Sequence, residues 1–311
     1  MNYLLITGSE GLIGKNLTKY LETKGFYLKF LDKELSPIKE GYGNILDKEF
    51  LQKALQGCMG VIHLAGVSRV IFGEQDPDAC WITNVEGTSN VIEAALKSPQ
   101  KPWIIYASSR EVYGEQDVLP VIEDAPLNPI NIYAKSKVAA EKKVLEARQA
   151  GISTVILRFS NVFGSPFDHK DRVIPAFCRA ALLGETLFLE GQNNVFDFTF
   201  IDDVVRGITD VIFDLMKNHK SRPPIHFTTG RGITLREAAH IIIRKANSFS
   251  EIKEIASRSF DVHKFYGDSS RAKGLLEWTP YFTFEQAVEK FLPLLKTHLR
   301  IEENIPMKEV S

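Results

Sequence analysis

Five short apolar runs punctuate the first half of the chain: "YLLIT" (3–7), "YLKFLD" (27–32), "VIHLA" (61–65), "WIIYAS" (103–108) and "STVILRF" (153–159). Between them lie segments of helical periodicity at 12–24, 48–57, 77–97 and 131–150. The runs are apolar almost without interruption, which suits strands buried on both faces. Their alternation with helices predicts a parallel, doubly wound α/β sheet. After Gly164 the alternation loosens. The pattern predicts a helix over 171–184, a strand at "TLFLEG" (186–191), a helix over 202–216 and a strand at "IHFTTG" (225–230). Short helices and loops are expected from there to about 298, then a polar, frayed tail. No repeat or low-complexity linker interrupts the chain, so the second part reads as a smaller C-terminal α/β domain packed on the first. The expected division is 1–164 plus about 202–230 for the large domain, and about 165–201 and 231–300 for the small one.

The turn after the first strand is "TGSEGLIG", with Gly8, Gly11 and Gly14 spaced GxxGxxG and Leu12 and Ile13 opening the helix. Glycines here permit a tight turn, close approach of backbone to a pyrophosphate and tight helix-on-strand packing; the helix N-terminus stabilises the phosphate charge. A glycine triplet alone is weak evidence, but strand before and helix after point to a dinucleotide. Asp32 ends the second strand, where a carboxylate can accept both ribose hydroxyls of an adenosine and repel a 2′-phosphate. That favours NAD over NADP, against the plainer reading of a strand-end turn residue. Asp47, with Lys48 behind it, and "HLAG" (63–66) are further candidates, although Asp also begins helices and His-Leu-Ala-Gly also suits core plus turn.

"YAKSK" places Tyr133 and Lys137 four apart on one helical face. A tyrosine needs a pKa well below ~10 to act as a base near neutrality; a nearby ammonium favours the phenolate, and an adjacent oxidised nicotinamide would help further. An ordinary surface Tyr–Lys pair has the same spacing. Here, however, the pair follows "YASSREVYG" (106–114), a strand exit crowded with Ser109, Arg110 and Glu111.

Composition narrows the partners. Of 311 residues 25% are charged, with a formal net charge of -1, which argues against nucleic acid or a polybasic membrane contact. Cys58, Cys80 and Cys178 lie far apart without CxxC, so they read as small core residues of a reducing compartment. The histidines show no metal-ligand spacing, and no metal site is expected. No run reaches the roughly 18 apolar residues of a membrane span, and "MNYLLITG" goes straight into a strand without a signal-peptide pattern. A cytoplasmic location is expected.

The ordered set "TGSEGLIG", Asp32, "HLAG", "NVEGTSNVIEAA" (84–95), "SSREVYG", "YAKSK", "LRFSNVFG" (157–164), "FIDDVVRG" and "RSFDVHKFYGDSSRAKGLLEWTP" closely resembles the extended short-chain dehydrogenases/reductases, the NAD-dependent epimerase/dehydratase family acting on nucleotide sugars. The resemblance covers nearly the whole chain. It implies a Rossmann-type domain binding NAD and a smaller domain binding a nucleoside diphosphate-sugar. It also implies a homodimer joined through a four-helix bundle built from helices 84–97 and 132–149. Carried over position by position, Tyr133 resembles the catalytic base, Lys137 its electrostatic partner and ribose anchor, and Ser109 the hydroxyl holding the reacting sugar oxygen. Asn161 matches a sugar-diphosphate contact and Arg258 a phosphate contact. One departure stands out: "NNVFDF" puts Phe196 where relatives often carry an arginine on the diphosphate, so that charge is expected from elsewhere, Arg172 or Arg231.

The implied opening step is removal of a sugar hydroxyl proton by Tyr133, at O4, while the carbon loses hydride. Return of hydride to the other face gives a 4-epimerase, the activity that asks least of the remaining residues. Glu111 opens the alternatives: acid/base work at C5 would make the chain a 4,6-dehydratase or a decarboxylase. Arg110, however, stands where dehydratases of the family tend to carry Asp. A non-catalytic NAD-binding regulator is a remote alternative, since it has no need of a matched Ser109, Tyr133 and Lys137.

Overall fold

The computed structural model describes residues 3–256 and 262–303. Strand β1 (Tyr3–Thr7) runs into helix α1 (Leu12–Thr23), followed by β2 (Tyr27–Leu31), α2 (Lys48–Ala54) and β3 (Cys58–His63). Two short helices, α3 (Val70–Gln75) and α4 (Pro77–Trp81), lead through a π-helical turn at Ile82–Glu86 into α5 (Gly87–Lys97). Then come β4 (Trp103–Ser109), a 3₁₀ turn at Arg110–Tyr113, α6 (Ile132–Gln149) and β5 (Thr154–Phe159). The helix expected over 77–97 is therefore three joined pieces, with one wide turn in the middle.

The second half carries β6 (Asn161–Phe163), α7 (Val173–Leu183), β7 (Leu187–Glu190), β8 (Val195–Phe196), β9 (Phe198–Phe200) and α8 (Ile201–Asn218). After it follow β10 (Ile225–Phe227), β11 (Ile233–Thr234), α9 (Leu235–Ala246), β12 (Ile252–Ile255), α10 (Ser270–Leu276) and α11 (Phe284–Glu303). This region is more regular than expected. α9 and the long α11 stand where short helices and loops were predicted, because α11 lays buried Phe284, Val288, Phe291 and Leu295 against α7, α9 and β9. Arg258 and the end of the polar tail lie outside the described residues.

Six strands form one parallel sheet in the order β10-β5-β4-β3-β1-β2. Side chains alternate between its faces as strand geometry requires. Leu4, Ile6, Ile62, Ile105 and Leu157 pack toward the side shared with α8 and the C-terminal elements. Leu5, Val61, Ile104, Tyr106 and Ile156 pack toward the side shared with α2, α5 and α6. The chain leaves β1 for β2 on one side and returns for β3 on the other. The carboxyl ends of β1 and β3 thus form the topological switch point where such sheets bind ligands. Cys58, Cys80 and Cys178 are buried free thiols. Among the described residues no helix is long and apolar enough to cross a membrane.

A buried ion pair locks the exit of β4. Arg158 on β5 donates to Glu141 on α6 through Nε at 2.9 Å and Nη2 at 2.6 Å, and the Ser108 hydroxyl donates to the same carboxylate at 2.5 Å. Its Nη1 donates to the Tyr113 hydroxyl at 2.7 Å. His226 Nδ1 lies 3.0 Å from the Asp268 carbonyl, an acceptor only, so Nδ1 carries the proton and Nε2 accepts from Tyr113 at 2.6 Å. Burial holds that ring neutral, its pKa pushed down to about 3. Removing one partner of such a pair leaves a charge without compensation. Glu141→Ala is expected to lower the unfolding free energy by about 3–5 kcal/mol in a urea titration, far beyond an exposed pair such as Lys143–Glu146.

Candidate active site

The glycine turn is a cradle. Gly8 sits at φ +73°, and a Cβ there would lie 2.6 Å from the Ala65 nitrogen on the neighbouring strand exit. A Cβ on Gly14 would meet the Gly8 carbonyl at 2.2 Å. Helix α1 begins at Gly11 with no side-chain cap, so Leu12 and Ile13 open a helix whose first N–H groups are left to a ligand. The buried Ser9 hydroxyl also has no partner. Asp32 is buried and accepts N–H bonds from Glu10 at 2.7 Å and Glu34 at 2.9 Å, which aims its carboxylate across the turn. Donors for a pyrophosphate and an acceptor for a ribose thus fit the two ends of an adenosine diphosphate half.

Asp47 and Lys48 lie further out. Asp47 caps α2 by accepting from the Phe50 amide at 2.9 Å, and Lys48 pairs with Glu93 at 3.1 Å. His63 is a core residue. Its Nδ1 accepts from the Thr7 hydroxyl at 2.7 Å, because Thr88 already donates to the Asn84 carbonyl and so takes the proton of Nε2. Burial depresses this imidazole to about 3, which keeps it neutral. The chain Thr7–His63–Thr88 ties β1, β3 and α5 together under the cradle.

Asn131 caps α6 by accepting from the Ala134 amide at 2.8 Å, and this fixes where Tyr133 and Lys137 emerge. Both are buried. The Ser109 hydroxyl at the end of β4 shares a hydrogen bond with the Tyr133 phenol. Lys137 Nζ donates to the Ala107 carbonyl at 2.9 Å and lies 5.9 Å from the centre of the Tyr133 ring. Gly66 leaves backbone beside this ammonium: a Cβ there would come within 3.5 Å of Nζ and 2.7 Å of the Asn84 side-chain oxygen. Asn84 sits in the π-helical turn and donates to the Ser136 hydroxyl at 2.9 Å. Neither Asn84 nor Asn131 was singled out by type or spacing; a π turn and a helix cap are visible only in the fold.

Burial dominates the electrostatics. It pushes the Tyr133 phenol up to about 12, opposed by the Ser109 hydrogen bond, reinforced by Glu111 and opposed by Arg172. The same desolvation brings Lys137 down to about 8, opposed by Cys80 and Glu141. In the cofactor-free protein burial thus outweighs the groups that favour the phenolate, and positive charge brought beside the phenol would act against it.

Glu111 is a buried carboxylate already in use. Its Oε1 lies 2.7 Å from Arg110 Nη2 and its Oε2 accepts from Asn131 at 3.3 Å. The Arg110 guanidinium lies over the rings of Phe196, at 4.8 Å, and Phe265, at 5.6 Å. Arg110 thus sets a guanidinium against the ring at position 196. Arg172 instead pairs with Asp168 at 3.5 Å, and Arg231 is exposed. Asn161 stands on β6, its backbone N–H donating to the Asp197 carbonyl at 3.1 Å.

Residues 4–221 match the model of the NAD dependent epimerase/dehydratase family. The chain belongs to that family. It is an enzyme of that family, and its cofactor is NAD, which the glycine cradle and Asp32 would hold. It is 27% identical over 310 residues to a putative UDP-glucose 4-epimerase of Methanocaldococcus jannaschii, covering 96% of this chain and 99% of the relative. It is 26% identical to UDP-glucuronic acid decarboxylase 1 of Danio rerio, covering 97% of this chain and 74% of the relative. Among solved structures, the UDP-glucose 4-epimerase of Thermotoga maritima with UDP-glucose superposes with a TM-score of 0.87 at 25% identity, covering 96% of this chain and 99% of that one.

Burying an ammonium has a measurable consequence. Lys137 loses its proton near pH 8 in the folded chain but at 10.5 when unfolded, so the unfolded state binds more protons between these values and stability rises with pH there. The cost of the charge is fully present below about pH 8. Lys137→Met is therefore expected to stabilise the cofactor-free protein by about 2 kcal/mol at pH 7, after allowing for the lost hydrogen bond. The gain should shrink as pH rises from about 8 and turn into a small loss near pH 10.5, where only the missing hydrogen bond remains, in thermal or urea melts.

Proposed function

We propose that the chain is a nucleotide-sugar 4-epimerase that works through a transient 4-keto sugar. The observation that carries this reading is the state of Glu111. A carboxylate paired with Arg110 at 2.7 Å and bonded to Asn131 has both oxygens engaged. Chemistry at C5 or C6, which dehydration needs, would have to draw on this engaged carboxylate. The parts that oxidation at C4 needs are assembled: Ser109, Tyr133 and Lys137.

NAD, which Gly8, Gly11, Gly14 and Asp32 would hold, would supply the hydride acceptor and donor for C4 and the positive charge of its oxidised ring. Ser109 holds the sugar O4, so the hydroxyl meets its base in a fixed geometry. Tyr133 removes the O4 proton and returns it when hydride arrives on the opposite face. Lys137 keeps the developing phenolate favourable and, lying among Gly66, Ala107 and Asn84, anchors the ribose. Asn161 contacts the sugar-diphosphate. The exposed faces of α5 and α6, with Glu93, Lys135 and Lys142, are the surfaces through which a homodimer would form.

The family also contains a decarboxylase similar to this chain, and Glu111 is near enough to Tyr133 to raise its pKa. A reaction using Glu111 at C5 would require Arg110 to let go of it.

Incubation with uridine-, thymidine-, guanosine- and cytidine-diphosphate sugars, read by mass and NMR, is expected to give a product of unchanged mass with C4 inverted. Loss of water or carbon dioxide overturns the proposal in favour of dehydratase or decarboxylase. Tyr133→Phe should reduce kcat by at least about 100-fold while NAD binding persists. Binding without turnover of any sugar by the wild-type chain points instead to the regulator.

A further inference from the structure

Arg110 is only 7% exposed, yet one arm of its guanidinium is unsatisfied: Nη2 holds Glu111, whereas Nη1 is buried without a hydrogen-bond partner. A buried N–H of a charged group left unpaired is costly, and such orphans mark places where something else is meant to bind. The two aromatic faces of Phe196 and Phe265 fix the plane of the guanidinium and exclude water from it. Asn131, which caps the helix of Tyr133, holds the other oxygen of the paired carboxylate. Arg110 directly follows Ser109, so its side chain leaves the same turn that presents a hydroxyl to the Tyr133 phenol. Glu111 neutralises half of the guanidinium and holds it in place; it leaves the second arm for a ligand.

We propose that Arg110 is a specificity-determining residue whose free Nη1 receives an anionic oxygen of the substrate at the sugar end of the site. The oxygen belongs either to a carboxylate on the sugar or to the diphosphate joining sugar and nucleoside. Either group accepts a charge-assisted hydrogen bond, and a fixed guanidinium is suited to both. A neutral hydroxymethyl group would leave the arm without its ionic partner. The inference rests on the nucleotide-sugar reading above but not on the fate of the 4-keto sugar.

The test uses the full-length NAD-loaded Tyr133→Phe protein, in which turnover is suppressed, and isothermal titration with UDP, dTDP, GDP and CDP. The base that binds tightest is then titrated as its glucose and glucuronate esters. In this background Arg110→Met with Glu111→Gln removes the guanidinium without stranding a buried carboxylate. Glu111→Gln alone is the control, and retained NAD affinity and thermal midpoint verify folding. A loss of about 10- to 100-fold is expected. If it is confined to the glucuronate ester, the partner is a sugar carboxylate. If it is shared by the free nucleoside diphosphate and both esters, the partner is the diphosphate. Unchanged affinities, or the same loss from Glu111→Gln alone, overturn the role of Arg110. Failure of the parent to bind any of these ligands instead overturns the nucleotide-sugar reading.

Discussion

Desolvation at one corner of helix α6 is the constraint on which the rest depends. Tyr133 and Lys137 are both buried, and burial disfavours the charged form of each, moving the phenol up to about 12 and the ammonium down to about 8. A dry base and a dry cation would cancel each other's usefulness if nothing else were present. The surrounding fold therefore puts its remaining polar contacts at this point: the Ala107 carbonyl for the ammonium, the Ser109 hydroxyl for the phenol and the Asn131 cap for the helix. An oxidised nicotinamide bound here would supply positive charge of the kind that favours a phenolate.

The buried layer beneath the site explains why the geometry is held so firmly. Strand β4 delivers Ser109 and its 3₁₀ turn delivers Arg110 and Glu111, while Arg158, Glu141, Tyr113 and His226 pin that turn to β5, α6 and β10. In this layer His226 stays neutral, and Glu141 is held by Arg158 and Ser108. The layer's role is to join the strand that carries the hydroxyl to the helix that carries the base.

Much of this was legible in the residues. The strands of the large sheet, the glycine cradle, Asp32 and the Tyr133–Lys137 pair are local patterns, and local patterns survive folding: uninterrupted apolar runs for strands buried on both faces, i, i+4 for a helix face, glycine for a turn with positive φ. What was not legible depends on groups distant in sequence. The sign of the Tyr133 shift comes from its burial, not from its spacing to Lys137. For Asp47 the residues left a cofactor contact and a helix cap both open, and the fold shows the cap on the Phe50 amide. The regular α11 was missed because its apolar residues serve a surface made by α7, α9 and β9, none of which lies near it in sequence. Arg110 is the clearest case. The sequence put a cation next to Glu111 and a phenylalanine at position 196, and only the fold stacks one on the other.

The account turns on whether carbon chemistry stays at C4. The most direct measurement is turnover of the accepted nucleotide sugar in deuterium oxide, followed by NMR and mass analysis of the product. Hydride that leaves C4 and returns to it never exchanges with solvent, and a carboxylate tied to Arg110 takes no proton from C5. The account predicts a C4-inverted product of unchanged mass with no deuterium on carbon. Deuterium at C5, with or without loss of water or carbon dioxide, would contradict it and make Glu111 the working base.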